Sequence, residues 1–460
     1  MKRSAWLWLV ISSMLVASLA AETRPQYGGT ARVALRESFS SLDPADAKQS
    51  NSFARRSVIA LVFDTLITLD EAGHPQPALA TSWQANSQNQ QWRFQIRHGV
   101  KFHDSSSLGA EQVSASLRAA NPSWNISVDG ESVVIQLENS RPRLPSELAQ
   151  PRNAIAKHNA DGTTSGTGPF HVADWQPGKK LTLAAEENCW RGRPYLDAIE
   201  IELDKSYRDQ ITALDLGKAD VIEIPSQQVH RASLEARNLA TSAPVEVLAL
   251  SFARAASSPD EKFLREALAL SIERGSIRSV LLQGSGQPAG GLLPTWISGY
   301  GFVFPTDADL ARARHTREQA RTIPIWTIGY DTSDSLTRVL VERIALNAKD
   351  AGLSLQPTAA PNADLRLVRI PLASPDPWVA LASLATSSTS AGNNTPEPNG
   401  KDNTIESLYA AEQAMLAPRQ IIPLFHLPVS YAGASLLKNW SVRADGTLSL
   451  ADAWIGSRQP

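Results

Sequence analysis

The sequence predicts an α/β protein with more than one domain. Its 460 residues exceed what one ordinary hydrophobic core holds, so two or three domains are expected. Segments with the two-residue period of strands alternate with segments whose apolar residues follow the helical period, and this order is typical of α/β units. The chain has no internal repeat, which argues against a tandem array.

The first half of the chain is predicted to be rich in strands. Apolar residues over 52–66 follow a helical spacing, and a short helix is expected over 110–117. Residues 128–137 are predicted to form one arm of a hairpin entered through the turn at Asp129 and Gly130. Further strands are expected over 30–35, 92–96, 170–175, 181–184 and 198–203.

The second half alternates more regularly between the two kinds of element. Ser206 is a suitable N-cap for a helix over 206–216 that ends at Gly217. A strand over 245–252 is expected to cross between domains. The remaining predictions are helices over 261–272, 333–351 and 405–416, strands over 323–330 and 421–427, and a mobile loop over 387–403 that is rich in Ser, Thr, Asn, Pro and Gly.

Composition and charge exclude several classes of protein. A hydrophobic content of 42% and a charged content of 20% are those of an ordinary soluble globular protein. The formal net charge of −2 provides no basic surface for nucleic acid, so no nucleic-acid partner is expected.

The N-terminus has the pattern of a secretory signal over residues 1–20. Lys2 and Arg3 form a positive start, an apolar run follows over 5–17, and small residues occupy 18–20. The apolar run is too short for a comfortable membrane span. Cys189 is the only cysteine, and a lipid-anchored receptor needs one directly after the signal. We therefore expect a periplasmic protein without a lipid anchor.

The most specific segment lies over residues 166–197. A glycine turn, Gly166-Thr167-Gly168-Pro169, leads into two strands, and an aromatic and basic elbow runs from Trp190 to Asp197. With the motifs around it, this segment closely resembles the family 5 extracellular solute-binding proteins, the peptide and nickel receptors of bacterial ABC importers. Those motifs are Gly28-Gly29-Thr30, Leu42-Asp43-Pro44, Phe63-Asp64-Thr65-Leu66, Pro77-Ala78-Leu79-Ala80, residues 94–104, Leu264-Arg265-Glu266-Ala267-Leu268 and Ser271-Ile272-Glu273-Arg274.

The resemblance implies a two-lobed clamshell fold of the periplasmic-binding-protein type, with a small extra domain on the first lobe. Lobe I is then expected over 21–65, 160–246 and 430–460, the small domain over 66–159, and lobe II over 247–429. The implied function is capture of a peptide-like or other small solute by lobe closure, followed by delivery to an ABC permease in the inner membrane. We expect a monomer without cofactor, metal or catalytic residues.

The expected ligand residues depart from those of peptide-binding relatives. Such relatives carry an aspartate ahead of a turn that appears here as Pro375-Asp376-Pro377, and the matching position is Ala373. A tryptophan usual in relatives is matched by Ile370. Losing the carboxylate removes a charge-assisted contact with a peptide ammonium. Arg369 is instead predicted to face an anionic group, with a salt-bridged strand arginine as the alternative.

Aromatic and loop residues complete the predicted site. Trp296, Tyr300 and Trp378 are predicted to stack on a ligand, although each also suits a core position. Phe39 and Ser40 lie in a loop that borders the cleft in relatives.

The sequence bears on two other classes of function. A secreted hydrolase is disfavoured because the chain has no Gly-x-Ser-x-Gly, His-Glu-x-x-His or Cys-x-x-Cys motif. A degenerate receptor that serves as a non-transport adaptor or scaffold stays open, since the second lobe lacks expected ligand groups and a fold can outlive its site.

Overall fold

The computed structural model describes residues 24–160, 162–300, 304–388 and 404–456. Helices and strands alternate along it. In chain order the α-helices are α1 (Phe53–Val62), α2 (Ala110–Ala120), α3 (Leu144–Leu148), α4 (Tyr207–Asp215), α5 (Val229–Leu234), α6 (Pro259–Ser271), α7 (Arg274–Val280), α8 (Thr295–Ser298), α9 (Leu310–Glu318), α10 (Ser335–Asp350), α11 (Pro377–Ser388) and α12 (Ile405–Leu416).

The strands are of very unequal length. In chain order they are β1 (Thr30–Ala34), β2 (Ile67–Leu69), β3 (Pro75–Pro77), β4 (Ala80–Ala85), β5 (Gln91–Ile96), β6 (Asn125–Asp129), β7 (Ser132–Gln136), β8 (Lys157–His158), β9 (Thr164–Ser165), β10 (Phe170–Gln176), β11 (Lys180–Ala185), β12 (Ala198–Glu202), β13 (Val221–Ile224), β14 (Asn238–Phe252), β15 (Gln287–Pro288), β16 (Ile325–Gly329), β17 (Ser354–Thr358), β18 (Leu365–Pro371), β19 (Ile421–Gly433), β20 (Leu437–Lys438), β21 (Ser441–Val442), β22 (Leu448–Ser449) and β23 (Trp454–Ile455).

One 11-stranded sheet runs through both lobes in the order β10-β11-β12-β1-β13-β19-β14-β18-β16-β17, with β15 paired to β19. The first five strands of that order belong to lobe I and the last three to lobe II. A separate four-stranded antiparallel sheet, β4-β5-β7-β6, forms the small domain. The molecule is therefore a mixed α/β protein in which the long strands β14 and β19 connect the lobes.

Lobe I, the small domain and lobe II each have their own hydrophobic core. In lobe I, α1 packs on the sheet through residues such as Val58 and Val62, and in the small domain Phe94 and Val113 are fully buried. A third core in lobe II is formed by α6, α10 and strands β14, β16 and β18. Burying one such apolar side chain contributes roughly 1.5–3 kcal/mol, so each of these separate cores stabilises its own part of the fold.

Two prolines interrupt the pairing of the crossing strands. Pro244 of β14 lies opposite Pro428 of β19, and the register shifts on both sides of Pro244. Proline has no N–H to donate to the ladder, so backbone pairing is weakest here. Leu239 before this point packs in lobe I and Leu248 after it packs in lobe II. The proline pair thus marks the joint between the lobes.

Most predicted elements are present with small changes of length. The helix over 405–416 is confirmed in full, Ser206 accepts the Asp209 N–H as the N-cap of α4, and the crossing strand begins earlier than predicted, at Asn238. The predicted loop over 387–403 is wrong at its start, because residues 387 and 388 continue α11. Its remainder, 389–403, and the signal segment lie outside the described residues.

Helix α11 was not predicted because its start was interpreted as a turn. The Asp376 Oδ1 accepts the N–H groups of Trp378 and Val379 at 3.0 and 3.3 Å, as an N-cap does, and Pro377 occupies the first helical position. The domain limits given above stay a prediction. Within the described ranges, none of the helices combines the length and the apolar character needed to cross a bilayer.

Candidate ligand cleft

A cavity of about 570 Å³ lies where lobe I, the small domain and lobe II meet. Lobe I contributes the inner face of α1 and the loop after it, and the small domain contributes residues 68–71 and 149–151. Lobe II contributes residues 373–375, and the C-terminal hairpin contributes 441–445 and Thr447. A cleft between domains that is partly open to solvent is a usual setting for a small-molecule site.

Arg56 is the cavity-lining residue with the least usual environment. Helix α1 starts at the Ser52 N-cap, whose hydroxyl accepts the Arg55 N–H, and its helical turn places Arg56 on the buried side, only 2% exposed. The Arg56 Nε donates to Asn51 Oδ1 at 2.9 Å and Nη1 to the carbonyl of Leu372 at 2.5 Å. Its Nη2 has no acceptor among the described residues.

Burial without an ion pair lowers the pKa of the Arg56 guanidinium. Burial lowers the pKa of Arg56 to about 10, and the distant carboxylates of Asp445 and Glu37 offset this only in part. The group is still charged at neutral pH. No carboxylate oxygen of the described residues lies within ion-pair distance of it. Arg56 therefore stands without an ion-pair partner in a cavity wall that also carries Asp64, Asp70, Glu71 and Asp445.

Asp64, directly after α1, is held in a buried hydrogen-bond network. Its carboxylate accepts from the Thr167 hydroxyl at 2.8 Å, the Trp190 indole N–H at 2.9 Å and Arg191 Nη2 at 2.6 Å. The ring of Trp190 also lies 4.8 Å from the guanidinium of Arg97, a cation–π contact. The network ties the elbow over 190–197 to the end of α1 and neutralises the Asp64 charge beside the cavity.

The glycine turn fits closely against the same end of α1. A Cβ on Gly166 would lie 1.9 Å from the Val62 carbonyl oxygen, so no other residue fits there. The Gly166 N–H points to Nδ1 of His103 at 3.3 Å, and His103 Nε2 lies 3.0 Å from the Gly168 carbonyl. Nδ1 thus accepts and Nε2 donates. Burial lowers the pKa of this imidazole, and a neutral His103 joins the small domain to lobe I.

Lobe II reaches the cavity through the segment between β18 and α11. Ala373, at the position where peptide-binding relatives carry a carboxylate, lines the cavity and provides no charge. Asp376 is buried and pairs with Arg143 of the small domain at 3.2 Å. Together with the contact of Arg56 to Leu372, this ion pair holds the lobes against each other at the cavity in the conformation described.

The three aromatic residues predicted to stack on a ligand lie together in lobe II, but as part of a core. Trp378 is buried, the Trp296 indole donates to the Pro244 carbonyl at 2.8 Å, and the Tyr300 hydroxyl donates to Glu412 Oε2 at 2.8 Å. All three pack in one apolar cluster and none lines the cavity. Their stacking on a solute stays a prediction.

Phe39 and Ser40 also lie away from the cavity. The ring of Phe39 is buried and stacks on Trp175 with a centroid distance of 5.9 Å. Ser40 is exposed and exchanges hydrogen bonds with Gln49, at 3.0 Å through its N–H and 3.2 Å through its hydroxyl. These contacts stabilise the loop before α1.

The contacts of Arg369 are those of the alternative considered from the sequence, an arginine held in salt bridges on a strand. On β18 it pairs with Glu246 at 2.7 Å and with Asp334 at 3.0 Å, and it does not line the cavity. Burial lowers the pKa of this guanidinium, but the two carboxylates outweigh burial and hold it above its ordinary value. A contact of Arg369 with an anionic solute stays a prediction.

Sequence reasoning missed Arg56, and one signal was present in the chain. Arg55 and Arg56 interrupt a segment whose other members are mostly apolar, so at least one of the two is expected on the buried side of the helix, and both are buried. The described residues contain no cluster of three or more His, Cys, Asp or Glu side chains suited to a metal ion.

Curated relatives match part of the chain. The nickel-binding protein NikA of Staphylococcus aureus is 27% identical over 243 residues, covering 49% of this chain and 49% of NikA. The glutathione-binding protein GsiB of Salmonella choleraesuis is 27% identical over 316 residues, covering 63% and 60%. The chain thus spans about half the length of NikA and less than two thirds of GsiB in these matches.

Solved structures match almost end to end. The Staphylococcus aureus NikA complex with Ni(L-His)2 gives a TM-score of 0.77 at 19% identity, covering 93% of this chain and 99% of that one. The Pseudoalteromonas dipeptide-binding protein in complex with Met-Leu gives 0.79 at 17% identity, covering 93% and 100%. These likenesses show the two-lobed fold. The model of the bacterial extracellular solute-binding proteins, family 5, matches residues 74–395, well over half of the chain, so the chain belongs to that family.

Proposed function

We propose that the chain is a periplasmic receptor that captures a small or peptide-like solute and presents it to an ABC permease. The observation that carries this proposal is the cavity of about 570 Å³ at the meeting point of the three bodies. Its size suits a small molecule. The relatives named for nickel, glutathione and dipeptide binding support the same solute range. The signal pattern over residues 1–20 supports the periplasmic location.

The mechanism follows from the joint between the lobes. Because backbone pairing is weakest at Pro244 and Pro428, lobe II turns about this point while both cores keep their shape. Opening breaks the contact of Arg56 with Leu372 and the ion pair of Arg143 with Asp376. A solute in the cavity adds contacts that exist only in the closed arrangement, so it shifts the population toward closure. The protein acts as a monomer by binding alone, without covalent chemistry.

A second function, a non-transport adaptor, is supported by one observation. All six side chains predicted to bind solute (Phe39, Ser40, Trp296, Tyr300, Arg369 and Trp378) lie outside the cavity lining, and Ala373 lacks the carboxylate of peptide receptors. An adaptor would keep the fold and the lobe contacts but would not close on a solute.

Native mass spectrometry of protein purified from periplasm without refolding tests the receptor. We expect a retained solute, and small-angle scattering that contracts when this solute is added to stripped protein. Ala373→Trp, which places an indole in the cavity, should abolish both effects. Ala255→Trp, on an exposed position away from the cavity, should preserve them. Unchanged scattering across a broad solute library would contradict the receptor and favour the adaptor.

A further inference from the structure

The small domain holds lobe II at residues 372–376, the segment that connects β18 to α11. Gly73, in the turn between β2 and β3, lies against the carbonyl of Pro375. Arg143, directly before α3, pairs with Asp376 at 3.2 Å. Lobe II is thus fastened to the small domain as well as to lobe I.

Asp376 is oriented for this ion pair by its own segment. Its Oδ1 accepts the N–H groups of Trp378 and Val379 at the start of α11. Its N–H donates to the Ser374 hydroxyl at 3.1 Å, and the remaining Oδ2 accepts Arg143 Nη1. Because these local bonds already fix the carboxylate, forming the pair orders only the arginine, and its cost in side-chain entropy is smaller than for two free side chains.

The pair is also shielded from water. The Asp376 side chain is only 2% exposed and that of Arg143 is 34% exposed. Opposite charges shielded in this way are screened less by salt and attract more strongly than an exposed surface pair. The helix N–H groups that Asp376 accepts offset part of the cost of removing its carboxylate from water. The pair therefore favours the arrangement in which lobe II lies against the small domain.

Gly73 brings the backbone of the small domain close to lobe II. Its φ of +81° is in the left-handed region, and a Cβ on it would lie 3.1 Å from the Pro375 carbonyl oxygen. The turn is held by Asp70, whose Oδ1 accepts the N–H groups of Ala72 and His74. Residues 372–376 thus meet an ordered surface that leaves little room for a side chain at this position.

We propose that the small domain is a latch on lobe II, in which the Arg143–Asp376 ion pair and the contact of Gly73 with Pro375 stabilise the closed arrangement. Arg143, Asp376 and Gly73 do not line the cavity, so the latch governs closure without contacting a solute. Because the latch consists of protein groups alone, it acts on the solute-free chain too. The latch itself is independent of the proposed receptor function, and only its effect on solute retention rests on that function.

Small-angle scattering of the whole, solute-free chain at roughly 0.05 and 1 M sodium chloride tests the ion pair. Arg143→Met should enlarge the radius of gyration at the lower salt by about as much as the higher salt enlarges that of wild type. Asp376→Asn should do the same, because asparagine still caps α11 but carries no charge. The double variant should open no further than either single one. Arg93→Met is the control, since Arg93 pairs with Asp129 inside the small domain, and it should match wild type.

The same measurement on two glycine variants tests the backbone contact. Gly73→Ala adds a methyl group that the closed arrangement does not accommodate, so it should enlarge the radius of gyration. Gly99→Ala is the matched control in the same domain, because Gly99 has a similar φ of +76° and nothing within 4 Å of a Cβ. Both variants carry the same backbone strain, and only the first should open. Circular dichroism checks that every variant is folded.

The outcomes separate the latch from the receptor function. An unchanged radius in Arg143→Met and Gly73→Ala, or a wild-type radius that does not respond to salt, refutes the latch and leaves the receptor standing. Equal opening in Arg93→Met or Gly99→Ala also refutes it, because those changes do not touch lobe II. Opening confined to the latch variants, in a chain that no solute of a broad library contracts further, supports the latch and contradicts the receptor.

Discussion

Replacing Asp64 by alanine should destabilise lobe I, because this carboxylate is the common acceptor of three donors from the segment over 166–197. The Thr167 hydroxyl is buried, the Trp190 indole is partly buried, and the Arg191 side chain is 40% exposed. A buried donor without a partner costs about 1–3 kcal/mol, whereas the half-exposed arginine turns to water and loses only about 0.5 kcal/mol. The expected loss in unfolding free energy is about 3 kcal/mol.

Differential scanning calorimetry measures this change. For a unit of 150–250 residues, 1 kcal/mol lowers the melting temperature by about 2–4 °C, so the Asp64→Ala transition should fall by roughly 6–12 °C. Asp64→Asn keeps an acceptor for Thr167 and should lose less. Glu187→Ala is the control, since its ion pair with Arg193 is a surface pair with an exposed carboxylate worth about 0–1 kcal/mol. An Asp64→Ala shift no larger than that of the control would refute the network's role.

Three further changes test the surrounding structure. Gly166→Ala should prevent folding or lower the melting temperature strongly, because its Cβ would lie 1.9 Å from the Val62 carbonyl oxygen. Gly275→Ala, at a helix position with open space around it, is the control and should be neutral or stabilising by up to about 1 kcal/mol. Equal melting temperatures of the two variants would contradict the steric argument. Burial lowers the pKa of His426 from 6.5 to about 4, so its contribution to stability is complete above about pH 6.5 and falls by roughly 3 kcal/mol as the pH drops toward 4. A difference between wild type and His426→Gln in acid unfolding that does not vary with pH would refute this. Arg369→Met should cost about 3 kcal/mol by leaving two partly buried carboxylates unpaired, and a loss of solute affinity at unchanged stability would instead support the ligand role predicted from sequence.

Local signals explain which elements of the fold were predictable. A serine N-cap and a following glycine were enough to place α4, and apolar spacing placed α1, α6, α10 and α12 within a few residues. The ordered family motifs predicted the two-lobed architecture. Helix α11 was missed because Pro375-Asp376-Pro377 was interpreted as a turn, although Asp376 as a cap and Pro377 as the first helical residue are also a helix start.

The candidate site was less predictable because residue type alone does not distinguish a core aromatic from a ligand-stacking one. Trp296, Tyr300 and Trp378 have the composition of a binding pocket, yet they fill one apolar cluster of lobe II. Arg369 has the charge expected of an anion site, but two carboxylates distant in sequence neutralise it. Ala373, which the sequence matches to a ligand position of peptide-binding relatives through the turn that follows it, lines the cavity.

The α/β class, the family and most helices and strands were predictable from the amino-acid sequence, because these depend on spacing, caps and motifs within short windows. Which charged side chains are buried and which are paired depends instead on how the chain folds. Arg56 meets the Leu372 carbonyl across 316 positions of sequence, and the balancing of Asp64 and Arg369 likewise depends on contacts between distant segments. Burial and pairing are properties of such long-range packing, and short windows of sequence do not contain them.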